Sequence, residues 1–295
     1  GNVTDIQLVG DRLVSCGTDG TVRCWTQSPC GAGWDPVATK LQHSRRIYQL
    51  SCKNELIATV SADRQVAITD HAGTFEWRTS LSRHPTSCAF LGETEPYLAV
   101  GIKWTGQLFI FGPGPQFVQK SMRAVGPDMT ALCASSNTVI VATMDELQEW
   151  HVDSQGTVLH CCIEHEALPG SNIALAITQG PRFLLLAALV SDPGPHPHIQ
   201  LFQLPGLTRV GGIDAPQATA IHLTPSCVIV GQRDGRVAVH HSRLGWKMER
   251  VLWQGALQQH STSRLSNLSE DLVGKIVGLV CPACDASNLD SRSPR

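Results

Sequence analysis

Residues 12–25 read Arg-Leu-Val-Ser-Cys-Gly-Thr-Asp-Gly-Thr-Val-Arg-Cys-Trp, a pattern of two short strands on either side of a tight turn. Apolar residues alternate with other residues on both sides of the turn, as expected of paired strands. Asp19 and Gly20 supply the positive φ and the local side-chain hydrogen bonding that a hairpin turn needs. The stretch therefore predicts a β-hairpin, and the alternating run at residues 4–8 predicts the strand that precedes it.

The same pattern recurs along the chain, with repeats that begin near residues 4, 47, 86, 130, 173 and 219. This spacing matches the four-stranded blades of a β-propeller, which repeat about every 40–45 residues. Between the copies there is room for one outer strand each, for example at residues 36–41. The sequence therefore predicts an all-β propeller of six or seven four-stranded blades over residues 1–255.

These repeats resemble the WD-repeat family, in which two strands, an Asp-containing turn and a strand ending near Trp-Asp recur. Four aspartates occupy the family's turn position: Asp19, Asp63, Asp145 and Asp234. Trp25 and Trp150 occupy its terminal Trp position, and His43 and His84 stand where it has a His before the first strand. None of the repeats keeps Trp-Asp at the end of its third strand. We therefore expect that the family's hydrogen-bonded Asp, His, Ser/Thr and Trp set is lost and that packing carries more of the blade stability.

Composition indicates a globular body, because 42% of the residues are hydrophobic and 16% are charged, with a net charge of −2. A chain this close to neutral has no overall attraction for nucleic acid or anionic lipid, so neither partner is expected. The longest apolar run, residues 183–190, is much shorter than the roughly 20 residues of a membrane span, so no membrane association is expected.

The 11 cysteines lie mostly in strand-like stretches without regular spacing, which predicts buried free thiols rather than a disulfide framework. This usage favours a reducing compartment, the cytoplasm or alternatively the nucleus. The sequence begins without Met, which predicts that it is part of a longer protein.

Residues 256–295 depart from the repeat pattern. A Ser- and Gln-rich linker is followed by the apolar residues 272–280, and we expect 276–280 or an upstream segment to close the ring before a flexible tail. Cys281 and Cys284 have the spacing of half a zinc site, but a second pair with matching spacing is missing from the sequence. We therefore expect neither a metal nor a cofactor.

Catalytic signatures are missing from the sequence, which contains no phosphate-loop, dinucleotide-binding, zinc-protease or serine-hydrolase motif. Among Asp, Glu and His residues, the predicted innermost strands carry only Asp5 and His222. We therefore expect no enzyme but a protein-protein interaction propeller. The resemblance implies two common roles, a scaffold of a large assembly or a substrate receptor of a ubiquitin ligase, and does not choose between them. The alternative from another class is an enzyme with a site at the propeller channel, since such sites assemble from distant loops.

In the family that the repeats resemble, the tight turns and the loops that enter each first strand lie on one face of the disc. Seven basic residues lie at or near these segments: Arg45, Arg46, Arg64, Arg83, Lys103, Arg123 and Arg233. A guanidinium can bind a carboxylate or phosphate through two parallel hydrogen bonds. The pattern predicts a protein or peptide partner that is acidic or phosphorylated. The alternative is that these side chains point apart and only keep the rim soluble.

Overall fold

The computed structural model describes residues 2–9, 11–28, 33–72, 75–93, 95–112, 117–126, 128–144, 146–164, 171–179, 184–191, 197–224, 227–232 and 237–241. These residues form strands and a single 3₁₀ turn at Lys103–Thr105. The described part of the chain contains no helix with the length and apolarity needed to cross a membrane.

Six antiparallel sheets follow one another along the chain. Blade 1 comprises β1 (Val3–Val9), β2 (Arg12–Gly17), β3 (Thr21–Gln27) and β4 (Trp34–Leu41). Blade 2 comprises β5 (Ile47–Lys53), β6 (Leu56–Ser61), β7 (Gln65–Asp70) and β8 (Glu76–Ser80). Blade 3 comprises β9 (Ser87–Leu91), β10 (Tyr97–Ile102), β11 (Gln107–Gly112) and β12 (Val118–Ala124). Blade 4 comprises β13 (Ala131–Ser135), β14 (Thr138–Ala142), β15 (Leu147–Val152) and β16 (Val158–Glu164). Blade 5 comprises β17 (Ser171–Gln179), β18 (Leu184–Ser191), β19 (His198–Leu204) and β20 (Thr208–Asp214). Blade 6 comprises β21 (Ala218–Leu223), β22 (Cys227–Gln232) and β23 (Val237–His241).

The predicted all-β propeller is confirmed, with six blades in the described residues. Each sheet pairs its strands in chain order, and the sixth sheet has three strands within the described part. The predicted outer strand at residues 36–41 lies within β4. The predicted strand at 276–280 and both tail cysteines lie outside the described residues.

The core lies between the blades rather than inside one sheet. Consecutive blades share buried apolar clusters, such as the one formed by Val14 of blade 1 with Ile47 and Leu50 of blade 2. Because the sheets of blades 2 to 5 pack on both faces, their middle strands read as nearly continuous apolar runs, and β10 is buried along its whole length. Low charge and high hydrophobic content follow from this architecture.

Polar side chains connect the innermost strands of neighbouring blades. Asp5 Oδ2 accepts the Leu50 N–H at 3.0 Å, and Gln7 Oε1 accepts the Cys52 N–H at 2.7 Å. The residue number therefore rises by two in both strands, from Asp5 to Gln7 in β1 and from Leu50 to Cys52 in β5, so these strands run in the same direction. Gln49 and Ser51 of β5 accept the N–H groups of Cys88 and Phe90 in β9 in the same way, at 3.1 and 3.0 Å.

This parallel order places corresponding loops of blades 1 to 3 together. In each antiparallel sheet, the loop that enters the first strand lies at the same end as the turn between the second and third strands. We call the side of the disc that carries these two kinds of segment the turn face.

Six of the cysteines in the described strands are free thiols (Cys16, Cys24, Cys52, Cys88, Cys133 and Cys227), and five of these six are buried. Burial raises the pKa of Cys52 and Cys133 above the ordinary thiol range. These thiols therefore stay protonated and behave as small apolar side chains, as their scattered spacing predicts.

Candidate partner-binding face

The turn face of blades 2 and 3 is held together by backbone hydrogen bonds between its loops. The Ala62 N–H in the turn of blade 2 donates to the Arg46 carbonyl at 3.0 Å, and the Leu81 N–H donates to the Arg64 carbonyl at 2.9 Å. The Thr86 N–H donates to the Gly101 carbonyl at 2.9 Å, next to the 3₁₀ turn of blade 3. The segments 44–46, 62–64, 81–86 and 103–106 therefore form one continuous surface.

A buried network fixes the first of these segments. His43 Nδ1 lies 3.0 Å from Asp63 Oδ2, and His43 Nε2 lies 2.9 Å from Thr59 Oγ1. The Asp63 carboxylate also accepts the backbone N–H groups of Ser44 and Gln65, both at 3.0 Å. The loop and the turn are thus tied to one carboxylate, which orients the arginines that flank it.

Electrostatics agree with a neutral imidazole in this network. Burial lowers the pKa of His43, and the Asp63 charge opposes that effect only in part. Burial alone would raise the pKa of Asp63, but hydrogen bonds from the Gln65 backbone and from His43 outweigh it and hold that pKa below its ordinary value. Nδ1–H therefore donates to Asp63, and Nε2 accepts the Thr59 hydroxyl.

Blade 2 thus keeps the Asp, His and Thr members of the set that the WD-repeat family uses, so the expectation that this set is lost is wrong for blade 2. Blade 1 keeps a different part of it, because the Trp25 indole N–H donates to Ser15 Oγ at 3.0 Å. In blade 1, Asp19 instead binds Arg23, with Nη2 2.7 Å from Oδ2, and this hydrogen bond lowers the pKa of Asp19. Asp145 and Asp234 lie outside the described residues.

Five basic residues lie on the continuous surface, and we call them the basic face: Arg45, Arg46, Arg64, Arg83 and Lys103. The four arginines are exposed. The Arg46 guanidinium lies 4.5 Å above the centroid of the Tyr48 ring and donates to the Tyr48 hydroxyl at 3.2 Å. Lys103 Nζ lies 5.7 Å from the Trp104 ring. Among the described residues, none of the five forms an ion pair with a carboxylate.

The other two predicted basic residues differ from this group. Arg123 lies within the outer strand β12, and its Nη2 lies 3.4 Å from the carbonyl oxygen of Val158 in blade 4. Arg233 lies outside the described residues.

Arg64 stands where neighbouring blades have glycine. Its φ is +69°, and the corresponding turn residues Gly20 and Gly106 have φ of +75° and +56°. The backbone carbonyls of Gly20, Arg64 and Gly106 each accept an N–H from the loop that follows the outer strand of the same blade. A left-handed conformation costs a side-chain-bearing residue about 1–2 kcal/mol relative to the right-handed one, a cost that glycine avoids. Arg64 thus holds an exposed guanidinium on the turn face at the expense of backbone strain.

Trp104 belongs to the same surface but was not selected from the sequence. Its side chain is 69% exposed, the most exposed of the large hydrophobic side chains in the described residues. The available signal was its position: Trp104 lies in the turn of the third repeat, where other repeats have Asp. Its side chain contributes nothing to the core and is open to contact with a partner.

The channel side of the propeller offers little chemistry in the described residues. Asp5 is held by the Leu50 and Ile6 N–H groups, at 3.0 and 2.8 Å. Burial lowers the pKa of His222 on β21. The described residues contain no group of three or more His, Cys, Asp or Glu side chains that could hold a metal ion.

Asp5 gives a pH-dependent prediction. Burial raises its pKa from 3.8 to about 6. Because the folded pKa exceeds the unfolded one, Asp5 contributes stability that is fully present below pH 3.8 and is lost as the pH rises through 6. In urea unfolding between pH 4.5 and 7.5, the wild type should therefore gain stability relative to Asp5→Asn as the pH falls. Asp214→Asn, at the exposed end of β20, is the matched control, and a pH-independent difference between wild type and Asp5→Asn would contradict the prediction.

Comparisons with known proteins show the fold and not the family. No protein-family model and no curated protein sequence matches the chain. A solved chain from a structure titled "Crystal Structure of Mitotic Checkpoint Complex" is 14% identical, with a TM-score of 0.65 over 81% of this chain and 74% of that chain. The similarity supports the propeller fold.

Proposed function

We propose that this chain is a non-catalytic protein-interaction propeller whose basic face binds an acidic or phosphorylated segment of a protein partner. The observation that carries the proposal is the convergence of five basic side chains without described ion-pair partners on one hydrogen-bonded surface beside an exposed tryptophan. This arrangement is what an extended anionic segment requires.

The nearby acidic groups do not neutralise this surface. Asp63 is the carboxylate within the turn of blade 2, and its oxygens are occupied by His43, Ser44 and Gln65. The guanidinium groups are therefore available to a ligand. Each could form two parallel hydrogen bonds with a carboxylate or phosphate, which distinguishes them from lysines that act as point charges.

Trp104 supplies an apolar contact next to these charges. Interface energy concentrates in aromatic and arginine side chains that become desolvated on binding. A ligand with acidic residues followed by an apolar residue would contact Arg46 and Arg64 on blade 2 and Trp104 on blade 3. Charge would then speed association, and the Trp104 contact would slow dissociation.

A role within a larger assembly is consistent with this mode of binding, since the similar solved chain comes from a structure titled as a complex. We propose a scaffold or a substrate receptor of a ubiquitin ligase as the role of this face, with a cytoplasmic or nuclear location for either. The enzyme alternative relies on Asp5 and His222, and Asp5 is already engaged by two backbone N–H groups.

The proposal is tested with an array of 15-residue peptides that are acidic, serine-phosphorylated or neutral, followed by fluorescence anisotropy on the best binder. The combined variant Arg46→Glu, Arg64→Glu and Arg83→Glu should weaken binding at least about 30-fold, more at low salt, because three contacts become repulsive. The control variant Arg12→Glu, Lys120→Glu and Arg209→Glu makes the same change in net charge at exposed positions away from the basic face.

The control variant should weaken binding less than about threefold. Equal weakening by both variants would mean that net charge alone attracts the peptide, and the basic face would be rejected. An array on which acidic and phosphorylated peptides bind no better than neutral ones would reject the acidic partner as well. Comparison of the acidic with the serine-phosphorylated peptides shows whether the face recognises carboxylate or phosphate groups.

Arg64→Gly separates binding from folding. Glycine relieves the left-handed strain at φ +69°, so the variant should be as stable as the wild type or more stable by up to about 1 kcal/mol. Peptide affinity should nevertheless fall, by about fivefold, because one guanidinium is lost. Unchanged affinity in this stable variant would remove Arg64 from the binding surface.

A further inference from the structure

The side of the disc opposite the turn face is acidic. It carries the turns between the first and second strands of the blades, because antiparallel pairing puts these turns at the other end of each sheet. In blades 1 to 3 these turns hold four exposed carboxylates: Asp11, Glu55, Glu93 and Glu95. We call the surface formed by these three turns the acidic face.

Contacts between neighbouring turns join the acidic face into one surface. Arg12 Nη1 of blade 1 lies 3.9 Å from Glu55 Oε2 of blade 2. Lys53 Nζ of blade 2 donates to the Gly92 carbonyl oxygen of blade 3. A ligand that spans neighbouring blades can therefore contact carboxylates from more than one of them.

The two cations of this surface leave its carboxylates available to a ligand. Lys53 is held by a backbone carbonyl, and the side chains of the Arg12 and Glu55 pair are 45% and 79% exposed. An exposed ion pair contributes little to stability, so a competing cation can replace Arg12. Among the described residues, the Asp11 side chain has neither a hydrogen-bond nor an ion-pair partner.

A cleft of about 270 Å³ lies on the acidic face between blades 1 and 2. Asp11 and Arg12 line it from blade 1, and Asn54, Glu55 and His71 line it from blade 2. His71 follows β7 and is only 9% exposed, and its Nδ1 has no hydrogen-bond partner among the described residues. Sites for whole small molecules typically measure about 300–1,000 Å³, so this cleft suits a single side chain.

We propose that the acidic face binds a lysine-rich segment of a protein partner, with one lysine ammonium group in the cleft between blades 1 and 2. The Asp11 and Glu55 carboxylates attract the ammonium group. His71 supplies a further acceptor in the tautomer that carries its proton on Nε2. An ammonium group has three N–H donors and no acceptor, so it matches a cleft with three separate acceptors.

The form of the cleft favours lysine over other ligands. A guanidinium binds best through two parallel hydrogen bonds to one carboxylate, whereas the acceptors here belong to different residues on two blades. The four carboxylates of the acidic face repel nucleic acid and anionic lipid. The lysines that follow the first one along the segment would lie beside Glu93 and Glu95 of blade 3.

Binding at the acidic face is independent of binding at the basic face. The two surfaces lie on opposite sides of the disc and carry opposite charge, so an anionic and a cationic segment can bind at the same time. A disc of this kind can connect two partners without a contact between them.

Fluorescence anisotropy with the full chain tests the acidic face. The probe is a fluorescein-labelled peptide with four lysines separated by glycine and serine, and the reference peptides carry glutamine or arginine in place of lysine. The lysine peptide should bind at least about tenfold more tightly than the glutamine peptide, with the larger difference at low salt. Asp11→Asn with Glu55→Gln should weaken its binding about tenfold, because two attractive charges are lost at the cleft.

Two further variants serve as controls. Asp128→Asn with Asp214→Asn makes the same change in net charge on the turn-face side of the disc and should weaken binding less than about twofold. Glu93→Gln with Glu95→Gln removes two charges from the acidic face outside the cleft and should weaken binding about threefold. All three variants should unfold at the same urea concentration as the wild type, since none of the six side chains is buried.

Four results would overturn the proposal. They are equal affinity for the lysine and glutamine peptides, tighter binding of the arginine peptide, equal weakening by the cleft variant and the turn-face control, and a larger loss from the Glu93 and Glu95 variant than from the cleft variant. The cleft variant should also leave the affinity of the basic face for an acidic peptide unchanged. The two faces are thus tested with different peptides and different variants, so failure of one proposal is distinguishable from failure of the other.

Discussion

Replacing His43 by alanine is expected to lower the free energy of unfolding by about 3 kcal/mol or more. The imidazole is fully buried and connects Asp63 with Thr59. Its removal leaves a cavity, a carboxylate without its side-chain partner and a buried hydroxyl with one hydrogen bond fewer. A buried polar group that loses its hydrogen-bond partner costs about 1–3 kcal/mol of folding free energy. The cavity adds a further cost. Urea unfolding at pH 7.5 gives the difference directly.

His84→Ala is the matched control, because His84 precedes β9 as His43 precedes β5. His84 is only partly buried, and its Nδ1 has no hydrogen-bond partner among the described residues. Its loss should therefore cost less than about 1.5 kcal/mol. Equal losses for the two histidines would mean that the network around Asp63 adds nothing beyond ordinary side-chain packing.

The pH dependence of the free energy of unfolding of His43→Ala provides a second check on the role of His43. The pKa of His43 is lowered by burial, so the neutral imidazole is favoured in the folded state. The stability from this depressed pKa is present above the unfolded value of 6.5 and is lost as the pH falls through the lower folded pKa. The His43→Ala variant should lack this component, and the wild type should lose part of its advantage over it in acid.

The fold was predictable because its signals are local. Alternation of apolar residues around Asp19 and Gly20 identifies a hairpin without knowledge of the rest of the chain, and the repetition of that pattern identifies the propeller. His43 and Asp63 were identified at the repeat's His and Asp positions, but their hydrogen bonding was expected to be lost. The pairing of the two with Thr59 needed the structure, because a threonine in a strand gives no such signal.

The contacts between blades were much less visible in the sequence. Gln7 and Gln49 look like ordinary polar residues of alternating strands, yet their side chains replace the ladder hydrogen bonds between neighbouring innermost strands. Their partners lie about 40 residues away, and no local pattern specifies them.

The candidate binding face shows the same limit. Sequence spacing placed Arg64 and Arg123 near comparable loops, but the structure puts Arg123 in a strand against blade 4. The exposure of Trp104 and the left-handed backbone of Arg64 depend on how turns and loops meet, which is a tertiary property. The sequence therefore indicated one face for these charges, whereas the placement of Arg123 in β12 and the exposure of Trp104 could be seen only in the structure.

Gly20→Ala is expected to lower the free energy of unfolding by about 3 kcal/mol. The φ of Gly20 is +75°, which alone costs an alanine about 1–2 kcal/mol. An added Cβ would clash with the carbonyl oxygen of His43 and would lie 3.0 Å from that of Arg45. Both are backbone atoms, so relief requires a shift of the whole loop at residues 42–46.

Arg64→Ala is the control, since Arg64 has nearly the same backbone conformation at the corresponding turn position and already accommodates a Cβ. Its effect on unfolding should stay below about 1 kcal/mol. Because Arg64→Ala adds no Cβ, a comparable loss in both variants would mean that neither the positive φ nor the close approach to His43 determines the cost at Gly20.

The two large effects should also be coupled. Because the loop that Gly20→Ala displaces carries His43, the variant should weaken the bond between His43 and Asp63 before any further substitution is made. The double variant Gly20→Ala with His43→Ala should then lose at least about 1 kcal/mol less than the sum of the single losses, as expected of neighbouring sites that share one element. Additive losses, measured by urea unfolding of the four proteins, would show that the turn of blade 1 and the network of blade 2 are independent.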